Sequence, residues 1–274
     1  MLRMGSIRTI ILGCGSSGGV PRVGMDWGVC DPENPRNRRT RCGILIQIEK
    51  DNGESASVLI DTPPELREQL VRNEVRRVDS VLYTHTHADQ CHGIDDLRAL
   101  CYVQRARMPI YASQASFDEL FQRFSYCFKT PEGSPYPPIL DARPPVEAGR
   151  EFVAEGANGV SVDVLPLDQD HGSMRSLGFR IGDVAYCNDV VDLPEESLEK
   201  LYGLDLLVVD ALRYDPHPTH AHVGKALGWI NRLKPQRAVL TNLHVDLDYE
   251  ALSSELPAHV EPAYDGMMIE TFFP

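Results

Sequence analysis

The amino-acid sequence predicts an α/β fold built in layers, with strands and helices alternating along one domain of residues 1–274. Three observations predict it. Short apolar runs of strand composition recur from Ile7-Arg8-Thr9-Ile10-Ile11-Leu12 to Ala238-Val239-Leu240. Segments with helical spacing of apolar residues lie between them. Polar residues of metal-ligand type stand just past several of the apolar runs, where loops of layered α/β proteins carry their sites.

Taken in order, the strand Ile7–Leu12 runs into Gly13-Cys14-Gly15-Ser16-Ser17-Gly18, which matches the G-x-G-x-x-G string of dinucleotide-binding folds. That motif needs a helix directly after it, and Gly19, Pro21 and Gly24 break any such helix. The loop reads as a tight turn or as a place where backbone approaches something closely. Residues 24–42 are irregular, and their basic run Arg36-Asn37-Arg38-Arg39-Thr40-Arg41 reads as a solvated loop bridged to carboxylates, with a phosphate contact as the alternative. Strands follow at Gly43–Ile48 and Ser57–Ile60. Pro63 and Pro64 suit the first turn of a helix through Arg72, with Asp61 or Thr62 near its cap. A strand at Val78–Tyr83 precedes a helix over Ile94–Arg107 and a strand at Pro109–Ala112. Ser113 then caps a helix whose Phe117, Leu120, Phe121 and Phe124 are core. Pro131–Pro145 reads as a loop. The second half gives strands near 159–166, 175–181, 183–187, 205–210 and 236–241, and helices near 194–202, 223–234 and 248–256.

Forty acidic residues against 27 basic ones give a formal net charge of −13, which argues against binding an anionic membrane and disfavours a large nucleic acid as substrate. Met1-Leu2-Arg3-Met4-Gly5-Ser6 is not followed by a long apolar segment, so neither a signal peptide nor a membrane span is expected and the cytoplasm is the expected location. The seven cysteines form no C-x-x-C pair and read as reduced thiols. A homodimer is compatible with the sequence.

The densest chemistry is Thr84-His85-Thr86-His87-Ala88-Asp89-Gln90-Cys91-His92-Gly93, directly after an apolar strand. While the backbone stays extended, His85, His87 and Asp89 project to one side. Imidazole and carboxylate are ligands that zinc, manganese and iron accept, so this loop supplies most of a coordination shell. His171, Asp189 and His244 follow later strands in the same way.

The order of Asp61, His85-x-His87-x-Asp89, His171, Asp189 and His244 resembles the metallo-β-lactamase superfamily over nearly the whole chain. Thr84–Asp89, His217-Pro218-Thr219-His220, Leu240–Asp248 and Glu261–Gly266 look most like the branch containing the cyclic phosphodiesterase of the carbon-phosphorus lyase pathway, with RNase Z as a neighbouring branch. The resemblance implies a four-layer αβ/βα sandwich with one or two divalent metal ions, zinc or manganese, at the sheet edges. It implies that His85, His87 and His171 hold a first metal, that Asp89 and His244 hold a second, and that Asp189 bridges them. Asp61 would stand behind the ligands, hydrogen-bonded to their loop. His220 would contact the phosphate or protonate the leaving group. His222 would touch substrate or cap the next helix.

This sequence departs from the superfamily at Gln90, where the pattern has a histidine, so the second metal should bind less tightly. His92 is either a substitute ligand, a residue supporting the ligands or a packing residue. Met25 and Trp27 stand where a cysteine-rich structural zinc of that branch would need cysteines, so that zinc is not expected.

The expected activity is hydrolysis of a small phosphodiester, a cyclic ribose phosphate or nucleotide-type substrate, by metal-bound hydroxide. Two metals lower the pKa of bound water and neutralise the non-bridging oxygens, with Asp89 orienting the nucleophile. The alternatives are an RNase Z-like nuclease, or a nucleotide-binding protein whose weakened second site supports little turnover.

Overall fold

The structure, a computed structural model, describes residues 5–273. Met1-Leu2-Arg3-Met4, used above to argue against a leader, lie outside the described residues.

Two seven-stranded mixed sheets face each other. The first half of the chain builds one of them from β1 (Gly5–Gly13), β2 (Gly43–Lys50), β3 (Ser55–Ile60), β4 (Ser80–Leu82), β5 (Met108–Tyr111) and β6 (Leu140–Ala142). The second half builds the other from β7 (Phe152–Glu155), β8 (Ser161–His171), β9 (Met174–Ile181), β10 (Val184–Cys187), β11 (Leu206–Asp210), β12 (Arg237–Thr241) and β13 (Val260–Pro262). β14 (Met267–Phe273) returns to the first sheet and pairs antiparallel with β1. In each sheet the last strands are parallel, β3 to β6 in one and β10 to β13 in the other.

The period-2 geometry of these strands makes four layers out of the two sheets. In β1, Ile7 and Ile11 enter the core between the sheets, while Ile10 and Leu12 enter the core beneath helices. β12 does the same, with Val239 turned inward and Ala238 and Leu240 outward. Burial on both faces explains why the strands read as nearly unbroken apolar runs. Over the first sheet lie α1 (Leu66–Arg72), the short α2 (Ala88–Cys91), α3 (Leu97–Gln104) and α4 (Gln114–Phe128), which bury Leu70, Cys91, Leu97, Phe117 and Leu120. Over the second lie α5 (Glu195–Glu199), α6 (Val223–Leu233) and α7 (Tyr249–Glu255), which bury Leu198, Trp229, Ile230 and Leu252. The αβ/βα sandwich expected from the sequence is therefore the observed fold. No helix among the described residues is long and apolar enough to cross a membrane.

Several expectations need correction. The Pro131–Pro145 loop contains β6, and β7, β13 and β14 were not expected. β6, β7 and β13 are three or four residues long, too short to show a period. The helix expected over 94–107 is a 3₁₀ turn (Ile94–Asp96) followed by α3. The basic run is not simply a solvated loop. Arg39 is 1% exposed and donates to the His244 carbonyl at 3.3 Å and to Asn37 Oδ1 at 3.1 Å. Arg36 lies over the rings of Tyr249 and Tyr264, and Arg38 over that of Trp27. Arg36 and Arg38 are exposed as expected, and of the four arginines Arg41 makes the expected carboxylate pair, with Glu65 at 2.8 Å.

Phe179 on β9 is 1% exposed between the sheets. Phe179→Ala should lower stability by about 3–5 kcal/mol in urea unfolding, whereas Val103→Ala on the exposed side of α3 should stay within about 0.5 kcal/mol. Equal effects would mean the core between the sheets is not where stability resides.

Candidate metal centre

The strands of both sheets end at one edge, and there the chain turns through left-handed backbone at three non-glycine residues. Asp61 after β3, Asp189 after β10 and Asn242 after β12 have φ of 65°, 51° and 62°. Asp and Asn tolerate this region best, at a cost of about 1 kcal/mol each, and strain of this kind concentrates at functional sites. Asp189 and Asn242 send their side chains into one polar network, and Asp61 sends its own to Thr84 beside His85.

Asp61 is fully buried, with Oδ1 accepting from the Thr84 amide at 2.9 Å and Oδ2 from the Thr84 hydroxyl at 2.8 Å. It does not cap α1, whose N-terminal residue Glu65 makes no side-chain cap bond. The Thr84 hydroxyl has one proton. Having given it to Asp61, it accepts from His85 Nδ1 at 2.9 Å. His85 Nε2 is then the bare nitrogen, and it is buried without any hydrogen-bond partner. His171 is locked the same way. Its Nδ1 donates to the Thr219 carbonyl at 2.8 Å, which leaves Nε2 as a lone pair 3.3 Å from His87 Nδ1. Gly172 permits this contact, since a Cβ there would come within 2.4 Å of Thr219 Cγ2.

Ligand atoms of His85, His87 and His171 consequently lie within 4.8 Å of one another, and those of His171, Asp189 and His220 form a second such group. Bare Nε2 atoms of His85 and His171 beside the ring of His87, one of them buried without a partner, are donors a cation would satisfy, so His85, His87 and His171 fit a divalent metal. Burial, and then the neighbouring histidines, hold His85 well below the usual imidazole range. Burial brings His171 down to about 4. Both are neutral at physiological pH, as ligands must be.

Asp189 is buried, with Oδ2 accepting from Asn188 Nδ2 at 2.8 Å and Oδ1 from Asn242 Nδ2 at 3.4 Å. Desolvation, followed by the charge of Asp89, raises its carboxyl well above the usual range. A positive charge in the cluster would reverse that.

Asp89 and His244 line the same cavity but belong to neither tight group. Asp89 Oδ2 accepts from Gln90 Nε2 at 3.1 Å. His244 Nδ1 is 2.8 Å from Asp246, and its Nε2 is 3.4 Å from an Arg22 nitrogen. Gln90 is fully buried, and its carbonyl oxygen has no hydrogen-bond partner. Of the alternatives read for His92 and His222, packing and capping are the ones observed. His92 is exposed and packs edge-on against Phe124 outside the cavity, because α2 turns it away from Asp89. His222 caps α6, accepting from the Lys225 amide at 3.3 Å, and does not line the cavity.

His220 does line the cavity. Its Nδ1 is 2.9 Å from Asp210 and 3.4 Å from Asp189, and Asn242 Nδ2 is 3.0 Å away. Burial alone would depress its pKa, but the hydrogen bond to Asp210 and the charges of Asp210, Asp189 and Asp89 outweigh it and raise it to about 9. Asp210, at the end of β11, is a site residue that the sequence reading overlooked. The signal that exposed Asp61 and Asp189, an aspartate closing an apolar strand, was present in Leu206-Leu207-Val208-Val209-Asp210. Asn242 carried no comparable signal.

Residues 56–242 match the Beta-lactamase superfamily domain. The chain belongs to this superfamily. A solved diphosphatase of the PhnP family is 32% identical, with a TM-score of 0.85 over 98% of each chain. Human tRNase Z, short form (ELAC1), shares the fold at 16% identity and a TM-score of 0.64, covering 96% of this chain and 98% of its own. A curated octanoyltransferase from Porphyromonas gingivalis (strain ATCC BAA-308 / W83) is 35% identical over 95% of this chain, which spans 51% of that protein's length. The superfamily inferred from the motifs is thus confirmed.

Asp61 sets the tautomer of His85 through Thr84. Asp61→Asn should weaken metal binding by about 10- to 100-fold although no ligand is removed, measured by competition with a chelator. Unchanged affinity would show that the Asp61–Thr84–His85 chain does not prepare the site.

Proposed function

We propose that the chain is a metal-dependent hydrolase of a small phosphodiester, of cyclic ribose phosphate or nucleotide type. One observation carries the reading: His87 and His171 of the three-histidine cluster and His220, oriented by Asp210, line a single cavity of about 440 Å³, with His85 buried behind them. That volume suits a small molecule.

His85, His87, His171 and Asp189 would hold the metal, with Asp89 and His244 as further donors on the same cavity. Bound there, a divalent metal would supply Lewis-acid charge to the phosphoryl oxygens and lower the pKa of a water. The protein's own contribution is positioning and proton transfer. Asp210 fixes the ring of His220 through Nδ1, and Nε2 has no protein hydrogen bond among the described residues. In hydrolysis the water oxygen bonds to phosphorus as the ester P–O bond breaks. His220 Nε2–H would give its proton to the departing oxygen, and Asp89 would orient the water.

Similarity to the PhnP-family diphosphatase supports phosphoryl chemistry. The net charge of −13 speaks against a transfer-RNA-sized substrate. Octanoyl transfer finds little support in the cavity, whose lining is mostly polar, with Met174 and Leu212 its large apolar members. An eight-carbon chain needs an apolar channel, since each buried methylene contributes about 0.8 kcal/mol.

Purified protein reconstituted with zinc or manganese should bind at least about one equivalent of metal and hydrolyse bis-(p-nitrophenyl) phosphate or a cyclic nucleotide. Chelation should abolish turnover. His220→Ala should lower kcat by about 10²- to 10⁴-fold with metal content unchanged. A protein that binds metal but turns over no phosphodiester would refute the proposal, leaving a binding role.

A further inference from the structure

The cavity has a floor made by His87, Asp89, His171 and Asp189 and walls made by two loops, residues 16–22 and 212–220. The carboxylates lining it are Asp89 and Asp189, both at the floor. The walls carry two guanidinium groups, Arg22 and Arg213. On a chain with a net charge of −13, a cavity mouth with cations and no carboxylate of its own is a local inversion of sign.

The two arginines differ in how their charge is met. Arg22 pairs with Asp26 through Nε at 2.8 Å and through a second nitrogen. Arg213 has no carboxylate partner among the described residues. Its Nε donates to the Asp215 carbonyl at 3.3 Å and one terminal nitrogen to the Pro216 carbonyl at 3.1 Å. Those bonds fix the side chain and leave its charge uncompensated. Beside it, His217 Nδ1 accepts from the Thr219 amide at 3.3 Å. An amide can only donate, so in the neutral ring Nε2 carries the proton and has no protein acceptor among the described residues. The ring of His217 stands 5.2 Å, centroid to centroid, from that of His220.

We propose that Arg213 and His217, with Arg22 from the other loop, form a subsite for a second phosphoryl group of the substrate, beside the one that reacts. This rests on the phosphodiesterase reading above. Arginine suits the task because its planar fork meets two phosphoryl oxygens at once, and His217 Nε2–H adds a neutral donor. The preferred substrates are therefore diesters bearing a further phosphoryl group, such as a diphosphate linkage, over diesters with a single phosphorus.

The test compares metal-loaded wild type, Arg213→Met and Arg213→Lys on P1,P2-di(adenosine) diphosphate and on bis-(p-nitrophenyl) phosphate. For the diphosphate, Arg213→Met should lower kcat/KM on the order of 10- to 100-fold, at least about tenfold more than for the single-phosphorus diester, and mainly through KM. Arg213→Lys should recover part of the loss. Equal losses on the two substrates, or none, overturn the subsite. If wild type turns over neither compound, the hydrolase reading fails and calorimetry with inorganic diphosphate on the same proteins decides the subsite separately. Tighter binding to wild type than to Arg213→Met supports it, and equal binding or none refutes it.

Discussion

The structure depends on one constraint: imidazole ligand atoms from different loops must point into the same small space. Backbone placement alone does not achieve this, because each neutral ring has two tautomers and only one of them offers a lone pair inward. The chain from Asp61 through Thr84 to His85 settles the choice on the first sheet, and the Thr219 carbonyl settles it for His171 on the second. Each device lies within the loops of its own sheet, and the seam between the sheets is tied by the Leu177 amide donating to the Thr84 carbonyl at 2.9 Å. The sandwich therefore does more than bury apolar surface. It brings ligand atoms of His85 from one sheet and His171 from the other within 4.8 Å of each other.

Around this cluster the protein buries Asp61, Asp189 and Asp210. Three carboxylates removed from water are costly unless cations and donors answer them. Thr84 answers Asp61, Asn188 and Asn242 answer Asp189, and His220 answers Asp210. His220 is thus held by Asp210 and Asp189, and Asp189 ties it to the His171 side of the cavity. Gln90 belongs to this network too, since its amide turns one Asp89 oxygen into a hydrogen-bond acceptor. The amide in place of an imidazole gives the Asp89 and His244 side of the cavity fewer strong donors than the His85, His87 and His171 side. Farther out, the sign of the lining changes, and the two walls present Arg22 and Arg213.

Much of this was legible in the residue order. His85, His87, Asp89, His171, Asp189 and His244 were found because each follows an apolar run, and the structure brings all but the buried His85 to the cavity wall, with His85 in the cluster at its floor. For His222 and His92 the sequence left alternatives open, and only the structure selects the helix cap and the packing contact, since sequence proximity to a motif says nothing about which way a short helix turns a ring. Asp210 was overlooked although it closes a strand as Asp61 does. The buried Arg39 was read as surface because a basic run on a loop is usually solvated, and only packing against the His244 loop draws it inside. Short edge strands such as β6 and β7 were invisible because three or four residues cannot display a period.

By itself the sequence determined the layered α/β architecture, the superfamily and the identity of the candidate ligands. Those properties are written in local patterns, apolar periods of two and of 3.6 and polar residues at strand ends. Only the tertiary structure decided the tautomers, the partnership of His220 with Asp210, the separation of Asp89 and His244 from the tight cluster, and the uncompensated charge of Arg213. The contacts that bring these groups together join segments far apart in the chain, such as Asn242 with Asp189 or His87 with His171. Their geometry is set where two sheets meet, and no local pattern encodes it.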